Sequence, residues 1–174
     1  MTASTLILLR HAKSSWETPW PDANRPLSRR GTRQAPLVAR WLARHDLRPD
    51  RILCSPAVRC RETLAIFSDI LQLPGDLVQF DSRIYEAHLR TLKTVIRPAL
   101  PDCRCLMVVG HNPGMDSLLL DLSEQSPPRT RKGKLMTTSA VAVLRLGESP
   151  MLPGTAQLEA LVRPKELLRT SRKQ

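Results

Sequence analysis

Short apolar runs recur along the chain, and each ends at a polar or turn-forming residue. The first is Thr-Leu-Ile-Leu-Leu-Arg at residues 5–10, and the clearest is Cys-Leu-Met-Val-Val at 105–109. Continuous apolar runs of this length are typical of strands buried on both faces of a sheet. The pattern predicts strands at residues 5–10, 51–54, 77–80, 105–109, 139–146 and 158–163.

Amphipathic segments lie between these runs and predict helices. Ser55-Pro56 is a strong start signal, because serine caps a helix and proline is favoured at the first helical position. Pro36 conflicts with an uninterrupted first helix, so we expect regular helix from about Thr32, or a kink at the proline. The predicted helices cover approximately residues 28–44, 55–72, 89–96 and 116–122.

This alternation of strands and helices predicts an α/β fold. We expect a three-layer sandwich in which a mostly parallel sheet carries helices on both faces. The chain of 174 residues is long enough to bury a core of its own. Because no repeat or linker divides it, the prediction is one domain over residues 1–174, with a basic tail from about residue 165.

Composition supports a globular protein, with 41% hydrophobic and 25% charged residues. The N-terminal apolar run is too short for a signal peptide or a membrane span, so we expect a cytoplasmic protein without membrane association. The cysteine spacing does not match a tetrahedral zinc site, so we expect thiols and no metal. The cysteines are Cys54, Cys60, Cys103 and Cys105.

The formal net charge of +11 predicts attraction to anions, including phosphates, acidic proteins and nucleic acids. The cations are spread along the chain, and aromatic residues make up only 3% of it. Stacking platforms for bases are therefore scarce, and we do not expect specific nucleic-acid binding. The basic stretch at 123–134 is either a solvated loop or a surface that steers an acidic phosphoprotein.

Four residues that suit phosphate chemistry follow the predicted strands. Arg10 and His11 end the first strand, Arg59 begins the helix after the second, and His111 follows the strand at 105–109. Because the carboxyl ends of parallel strands share one sheet edge, we expect these side chains to meet in one pocket. Guanidiniums bind phosphate oxygens and histidine can accept a phosphoryl group, so the set indicates phosphoryl transfer.

Short motifs around these residues resemble the signature of the histidine phosphatase superfamily. They occur in the order Leu9-Arg-His-Ala-Lys-Ser-Ser-Trp16, Arg25-Pro-Leu-Ser28 with Gly31, Ser55-Pro-Ala-Val-Arg59 with Glu62-Thr63, and Gly110-His-Asn-Pro-Gly114. Thr137-Thr-Ser-Ala140, before a late strand, narrows the resemblance to the small SixA-type phosphohistidine phosphatases.

The resemblance implies a phosphoglycerate mutase-like fold and a phosphatase that needs neither a metal nor another cofactor. His11 would be the nucleophile that is transiently phosphorylated. Arg10 and Arg59 would hold the phosphate, and His111 would complete the pocket. Glu86 falls near the position of the carboxylate that protonates the leaving group in the wider superfamily.

Several other side chains near these motifs have alternative interpretations. Arg25 either reaches the pocket as a substrate ligand or anchors, through a carboxylate, the irregular polar stretch at residues 13–26, called the long loop here. Trp16 and Trp20 are expected to pack within that loop. The second Arg-His pair, Arg44-His45, ends an amphipathic segment and is expected at an exposed helix terminus.

The leading interpretation is hydrolysis of phosphohistidine on protein substrates through phospho-His11. The chain has no room for the large insertions that shape small-metabolite pockets in bigger relatives, and an open site suits a protein side chain. Two alternatives stay open: a phosphatase or mutase acting on small phosphate esters, and a non-catalytic module that binds phosphate groups or nucleic acid.

Overall fold

Six strands form one sheet in the computed structural model, which describes residues 4–101 and 103–170. They are β1 (Thr5–Arg10), β2 (Arg51–Cys54), β3 (Val78–Phe80), β4 (Cys105–Gly110), β5 (Val141–Leu146) and β6 (Ala156–Val162). The order across the sheet is β3-β2-β4-β1-β5-β6. Neighbours are parallel from β3 to β1, whereas β5 is antiparallel to both β1 and β6. The predicted α/β fold with a mostly parallel sheet is confirmed.

The register of the central strands brings their carboxyl ends level. Arg10 in β1 lies opposite Gly110 in β4, and Cys54 in β2 lies opposite Val109. The residues that follow these three strands therefore emerge together at one edge, where open α/β sheets place their ligand sites. This edge is called the site edge below.

Helices cover both faces of the sheet and complete three layers. They are α1 (Arg29–Arg44), α2 (Val58–Leu71), α3 (Leu89–Ile96), α4 (Gly114–Leu122) and α5 (Pro164–Thr170). Ile7 and Leu9 of β1 belong to the core shared with α1, α2 and α5, whereas Leu6 and Leu8 face α3 and α4. β1 is continuously apolar because its side chains, which point alternately to the two faces of the sheet, are buried on both faces. No helix in the described residues is both long and apolar enough to cross a membrane.

The first helix starts earlier than Pro36 suggested. Ser28 is its N-cap, and the Ser28 hydroxyl accepts a hydrogen bond from the Gly31 amide at 3.2 Å. The helix continues through Pro36, which has no N–H to donate to the carbonyl of Thr32. Because Thr32 is exposed, water can satisfy that carbonyl. The predicted helix from about residue 28 to 44 is therefore confirmed, and of the two alternatives for Pro36 the start near Thr32 is wrong.

The second helix starts later than the Ser55-Pro56 signal predicted. α2 begins at Val58, and its N-cap Ala57 makes no side-chain capping bond. The Ser55 hydroxyl lies 2.7 Å from Nε2 of His111 instead. A residue predicted to cap a helix therefore orients a side chain of the candidate site.

The segment predicted as a basic tail from about residue 165 is helical as far as the structure describes it. α5 covers Pro164–Thr170, and Leu167 packs against the core beside α1 and α2. Residues 171–174 lie outside the described residues.

Candidate active site

His11 lies directly after β1 at the centre of the site edge. Its amide donates to the carbonyl of Gly110 at 3.1 Å, and its own carbonyl accepts from the amide of Ser139 at 3.2 Å. Nδ1 of the ring lies 2.7 Å from the carbonyl oxygen of Ala12. A carbonyl only accepts, so Nδ1 carries the proton and Nε2 keeps its lone pair.

The surroundings of His11 keep the imidazole neutral. The residue is only 9% exposed. Burial, followed by the positive charges of Arg59, Arg10 and Arg25, lowers the pKa of His11 to about 4, against the opposing hydrogen bond to Ala12. A neutral, oriented imidazole with a free ring nitrogen has the properties of a nucleophile at neutral pH.

Arg59 is the most deeply buried cation of the site, at 1% exposure. Nη1 donates to the carbonyl of Asp22 at 2.7 Å, and Nη2 donates to the Asp22 carboxylate at 3.0 Å. Nη2 also lies 3.0 Å from Oε1 of Glu86 and 3.2 Å from Nδ1 of His111. Arg59 therefore connects the long loop after β1, the segment before α3 and the residue after β4.

His111 is held at both ring nitrogens. Nδ1 lies 3.2 Å from Nη2 of Arg59 and 3.2 Å from Oε1 of Glu86, and Nε2 lies 2.7 Å from the Ser55 hydroxyl. Burial, then the proximity of His11 and Arg59, lowers the pKa of His111 to about 3. The His11 and His111 rings lie 5.2 Å apart between centroids.

Arg10 contributes the second guanidinium at the end of β1. Its Nη1 donates to the carbonyl of Met136 at 2.8 Å. Burial lowers the pKa of Arg10, opposed by the charges of Asp116 and Glu86. The Nε atoms of Arg10 and Arg59 are both buried with no hydrogen-bond partner among the described residues. The two guanidiniums thus retain donors that the surrounding protein does not satisfy.

Glu86 is brought to the pocket from the segment before α3. Its side chain is half-exposed, and its carboxylate approaches Nδ1 of His111 at 3.2 Å as well as Arg59. The backbone of Glu86 adopts a left-handed conformation with φ 49°, which is uncommon for a residue other than glycine. A carboxylate in this position can act as a counterion to Arg59 and can reach a group bound between the two histidines.

Asp22 is a site residue that the sequence reasoning missed. Its carboxylate accepts from Arg59, from Arg25 Nε at 3.0 Å and from the Tyr85 hydroxyl at 2.6 Å. The Tyr85 hydrogen bond is the largest effect and, with Arg25 and Arg59, lowers the pKa of Asp22 to about 2, although burial opposes this shift. The available signal was local, because Asp22 precedes the motif residue Arg25 by three positions within a turn.

Arg25 anchors the long loop in this structure. Besides Asp22, its guanidinium donates to the Ser14 hydroxyl at 2.8 Å and to the Ser15 carbonyl at 3.1 Å. The prediction that Trp16 and Trp20 pack within the loop is wrong, because these side chains are 71% and 59% exposed. Trp16 only stacks on Arg25, with the guanidinium carbon 3.6 Å from its ring centroid.

The remaining motif residues hold the pocket together. The Thr63 hydroxyl accepts from the amide of Ala12 at 2.9 Å and donates to the carbonyl of Arg59 at 2.6 Å. This hydroxyl ties the loop after His11 to the first turn of α2. Gly31 is required for close packing, because a Cβ there would lie 2.3 Å from the Lys13 carbonyl oxygen.

The depressed histidine pKa predicts a loss of stability in acid. The unfolded chain protonates His11 near 6.5, whereas the folded protein does so near 4, so the unfolded state binds more protons between these values. The free energy of unfolding should therefore fall as pH drops through this window. Urea unfolding across the window should give a shallower fall in His11→Gln than in the wild type and an unchanged fall in His45→Gln, which alters an exposed histidine. Equal slopes in all three proteins would contradict a neutral, buried His11.

Comparisons with known proteins agree with this arrangement. Residues 6–102 match the histidine phosphatase superfamily (branch 1). An uncharacterized protein of Mycobacterium tuberculosis H37Rv is 33% identical over 156 residues, which cover 86% of this chain and 96% of that protein. The phosphohistidine phosphatase SixA of Escherichia coli K12 is 27% identical over 152 residues, covering 83% of this chain and 86% of SixA.

A solved structure shows the same fold. The protein histidine phosphatase SixA complexed with tungstate superposes with a TM-score of 0.78 and 24% identity, covering 94% of this chain and 99% of that chain. The resemblance predicted from the motifs is confirmed by the match over residues 6–102. The chain belongs to the histidine phosphatase superfamily (branch 1).

Proposed function

We propose that this protein is a phosphatase that hydrolyses phosphohistidine on protein substrates through a covalent intermediate on His11. The observation that carries the proposal is the state of His11. Its imidazole is buried and neutral, and the Ala12 carbonyl occupies Nδ1, which leaves the Nε2 lone pair for attack. The positive charges of Arg10 and Arg59 act on the same ring and would attract a phosphate dianion to it.

The proposed reaction has two displacements at phosphorus. In the first, Nε2 of His11 attacks in line, and the new P–N bond forms as the P–N bond to the substrate imidazole breaks. The departing imidazole nitrogen takes up a proton from solvent. In the second, a water oxygen attacks phospho-His11, releases inorganic phosphate and returns Nε2 its lone pair, while the proton lost from water passes to solvent.

The cations around His11 would stabilise the charge on the phosphoryl oxygens in both steps. Arg10 and Arg59 supply fixed positive charge beside the His11 ring. His111 is neutral beside Arg59, but the arrival of a dianion raises the pKa of a neighbouring imidazole. Protonated His111 would then carry a hydrogen on each ring nitrogen and could donate Nδ1–H to a phosphoryl oxygen.

The exposed aromatic residues of the long loop support a protein as the substrate. Trp16 and Trp20 leave large apolar surfaces in solvent on the loop that supplies Asp22 to the site. Exposed tryptophans suit contact with another macromolecule, because buried aromatic side chains contribute strongly to interfaces. The similarity to Escherichia coli SixA, named a phosphohistidine phosphatase, supports the same substrate class.

A phosphatase acting on small phosphate esters is the second candidate, and Glu86 is the observation that favours it. An alkoxide leaving group needs a proton more than an imidazole does, and Glu86 is positioned beside Arg59 and His111 to supply one. Phosphohistidine, with its labile P–N bond, makes a positioned acid less necessary.

Glu86→Gln separates the two candidates when it is assayed on both substrate classes. We expect kcat/KM to fall about 100-fold on phosphoserine and less than about threefold on a phosphohistidine peptide. Glu17→Gln, which removes an exposed carboxylate from the long loop, is the matched control and should change neither rate. Equal losses on both substrates would exclude Glu86 as a leaving-group donor. Faster turnover of phosphoserine than of the phosphohistidine peptide by the wild type would overturn the proposed function.

We further propose that the protein acts in the cytoplasm and that residues 1–174 form one histidine phosphatase domain. Cys54 and Cys60 are buried free thiols, as is usual in a reducing compartment. Segments far apart in the chain contribute to one pocket, since the Thr63 hydroxyl accepts from the Ala12 amide and the Ser139 amide donates to the His11 carbonyl.

A further inference from the structure

A short loop beside the pocket concentrates positive charge. Residues 129–134, called the basic loop here, contain no acidic residue. None of the ion pairs found among the described residues involves its cations, which are all exposed to solvent. The four cations are Arg129, Arg131, Lys132 and Lys134.

The basic loop is an ordered turn. The Thr130 amide donates to the Lys134 carbonyl at 2.9 Å, and the Gly133 amide donates to the Thr130 carbonyl at 2.8 Å. Nη1 of Arg129 closes the turn on the Gly133 carbonyl at 3.0 Å. The exposed charges therefore project from a fixed backbone, which lowers the entropy lost when a partner binds.

A buried arginine holds both ends of this turn. Arg163 is almost fully buried; its Nε donates to the Leu135 carbonyl at 2.8 Å, and its Nη2 donates to the Pro128 carbonyl. A buried cation that donates to the residues on each side of a loop fixes the place of that loop on the fold.

The turn is joined to the proposed catalytic pocket through Met136. Lys134 precedes Met136 by two positions, so their Cα atoms are within about 7 Å of each other. The Met136 carbonyl accepts from Arg10 and, at 3.2 Å, from Asn112, while its amide donates to Asp116 at 3.0 Å. The basic loop therefore borders the Arg10 side of the pocket.

We infer that the basic loop is a docking surface for an acidic face of the phosphoprotein substrate, next to its phosphohistidine. This inference rests on the proposed function and adds the chemistry of the partner. Four uncompensated cations on a fixed turn complement carboxylates, and their field steers an acidic partner toward the pocket. Phosphohistidine docked here would present its phosphoryl group to Arg10 and His11.

A protein fits this surface better than a nucleic acid does. Residues 123–136 contain no aromatic side chain on which a base could stack. The pocket next to the loop accepts a single phosphoryl group for transfer, which a phosphorylated side chain provides at its tip. If the surface instead bound nucleic acid, its loss would weaken binding of a single-stranded oligonucleotide.

The test uses two synthetic peptides of equal length with one central phosphohistidine, flanked by glutamates in one and by glutamines in the other. At low ionic strength the wild type should prefer the glutamate peptide about tenfold in kcat/KM, and high salt should remove the preference. The triple variant R131Q/K132Q/K134Q should lose the preference and keep its rate on the glutamine peptide. Arg129 is retained because it closes the turn.

The matched control removes three exposed cations away from the site edge. Arg40 and Arg44 lie in the last two turns of α1, which leads to the amino-terminal end of β2. Arg97 follows α3, and the chain from there leads to the amino-terminal end of β4. R40Q/R44Q/R97Q should keep most of the tenfold preference. An unchanged preference in the loop variant, or an equal loss in the control, would overturn the docking surface.

A binding measurement separates this inference from the proposed function. Fluorescence anisotropy with a labelled, unphosphorylated glutamate peptide should show weaker binding to the loop variant than to the control. If the wild type hydrolyses neither phosphopeptide, the proposed function fails, and the anisotropy result alone decides whether the loop binds acidic protein. If the loop variant instead loses affinity mainly for a single-stranded oligonucleotide, the surface binds nucleic acid and the inference is overturned.

Discussion

Replacing His11 with alanine is expected to abolish hydrolysis of a phosphohistidine peptide, lowering kcat by about 1,000-fold or more. Alanine offers no lone pair to phosphorus, so neither the covalent intermediate nor its hydrolysis can occur. The stabilising donors of Arg10, Arg59 and His111 would remain, but they act on a displacement that no longer has its nucleophile. Steady-state release of inorganic phosphate measures the loss.

Trapping the intermediate makes the test specific to His11. Denaturing the wild type during turnover of a radiolabelled phosphopeptide should yield a protein-bound phosphate that is stable in alkali and lost in acid. His11→Ala should show none. His45→Ala is the matched control, because His45 also follows an arginine but lies exposed at the end of α1, with Nδ1 2.8 Å from the Trp41 carbonyl. An acid-labile phosphoenzyme that persists in His11→Ala would refute the proposal that His11 is the nucleophile.

Replacing Arg59 with lysine is expected to lower kcat/KM by about 100- to 1,000-fold although the charge is kept. Arg59 uses two nitrogens to contact the Asp22 carbonyl and carboxylate, Glu86 and His111 at the same time. A lysine ammonium is a compact charge that cannot hold this geometry or bind two phosphate oxygens side by side. Kinetics on the phosphohistidine peptide and on phosphoserine should both show the loss.

The control for this variant is Arg61→Lys, two positions along α2. Arg61 is exposed and its guanidinium lies over the Phe80 ring at 4.7 Å, so its replacement should leave kcat/KM within about twofold. Because Arg59 is buried, its variant must also be checked for folding. Phosphate or tungstate should raise the Tm of the wild type and of Arg61→Lys, and should do so much less for a folded Arg59→Lys. An equal rise in Tm would show that the anion does not bind at Arg59.

Much of the fold could be predicted because its signals are local. The apolar run at residues 105–109 and the amphipathic segment at 89–96 correspond closely to β4 and α3. The start of α2 was mispredicted because a long-range contact decided it. Ser55 can cap a helix, but its hydroxyl instead makes a hydrogen bond with the ring of His111, which lies 56 positions away in sequence. The exposed Trp16 and Trp20 could not be predicted either, because an apolar residue in a loop is expected to find packing partners.

The residue types by themselves determined which groups can carry the chemistry of this protein. Arg10, His11, Arg59 and His111 are recognisable because phosphate binding and phosphoryl transfer need guanidiniums and imidazoles, and because the ends of parallel strands bring such residues together. Tertiary structure alone decided how these four side chains are arranged. Contacts between distant segments decide that Asp22 binds Arg59 and that Met136, next to the basic loop, binds Arg10. The folded backbone also places the Ala12 carbonyl on Nδ1 of His11, which leaves Nε2 free. Such contacts set orientation, protonation and access, which a linear pattern of residues does not encode.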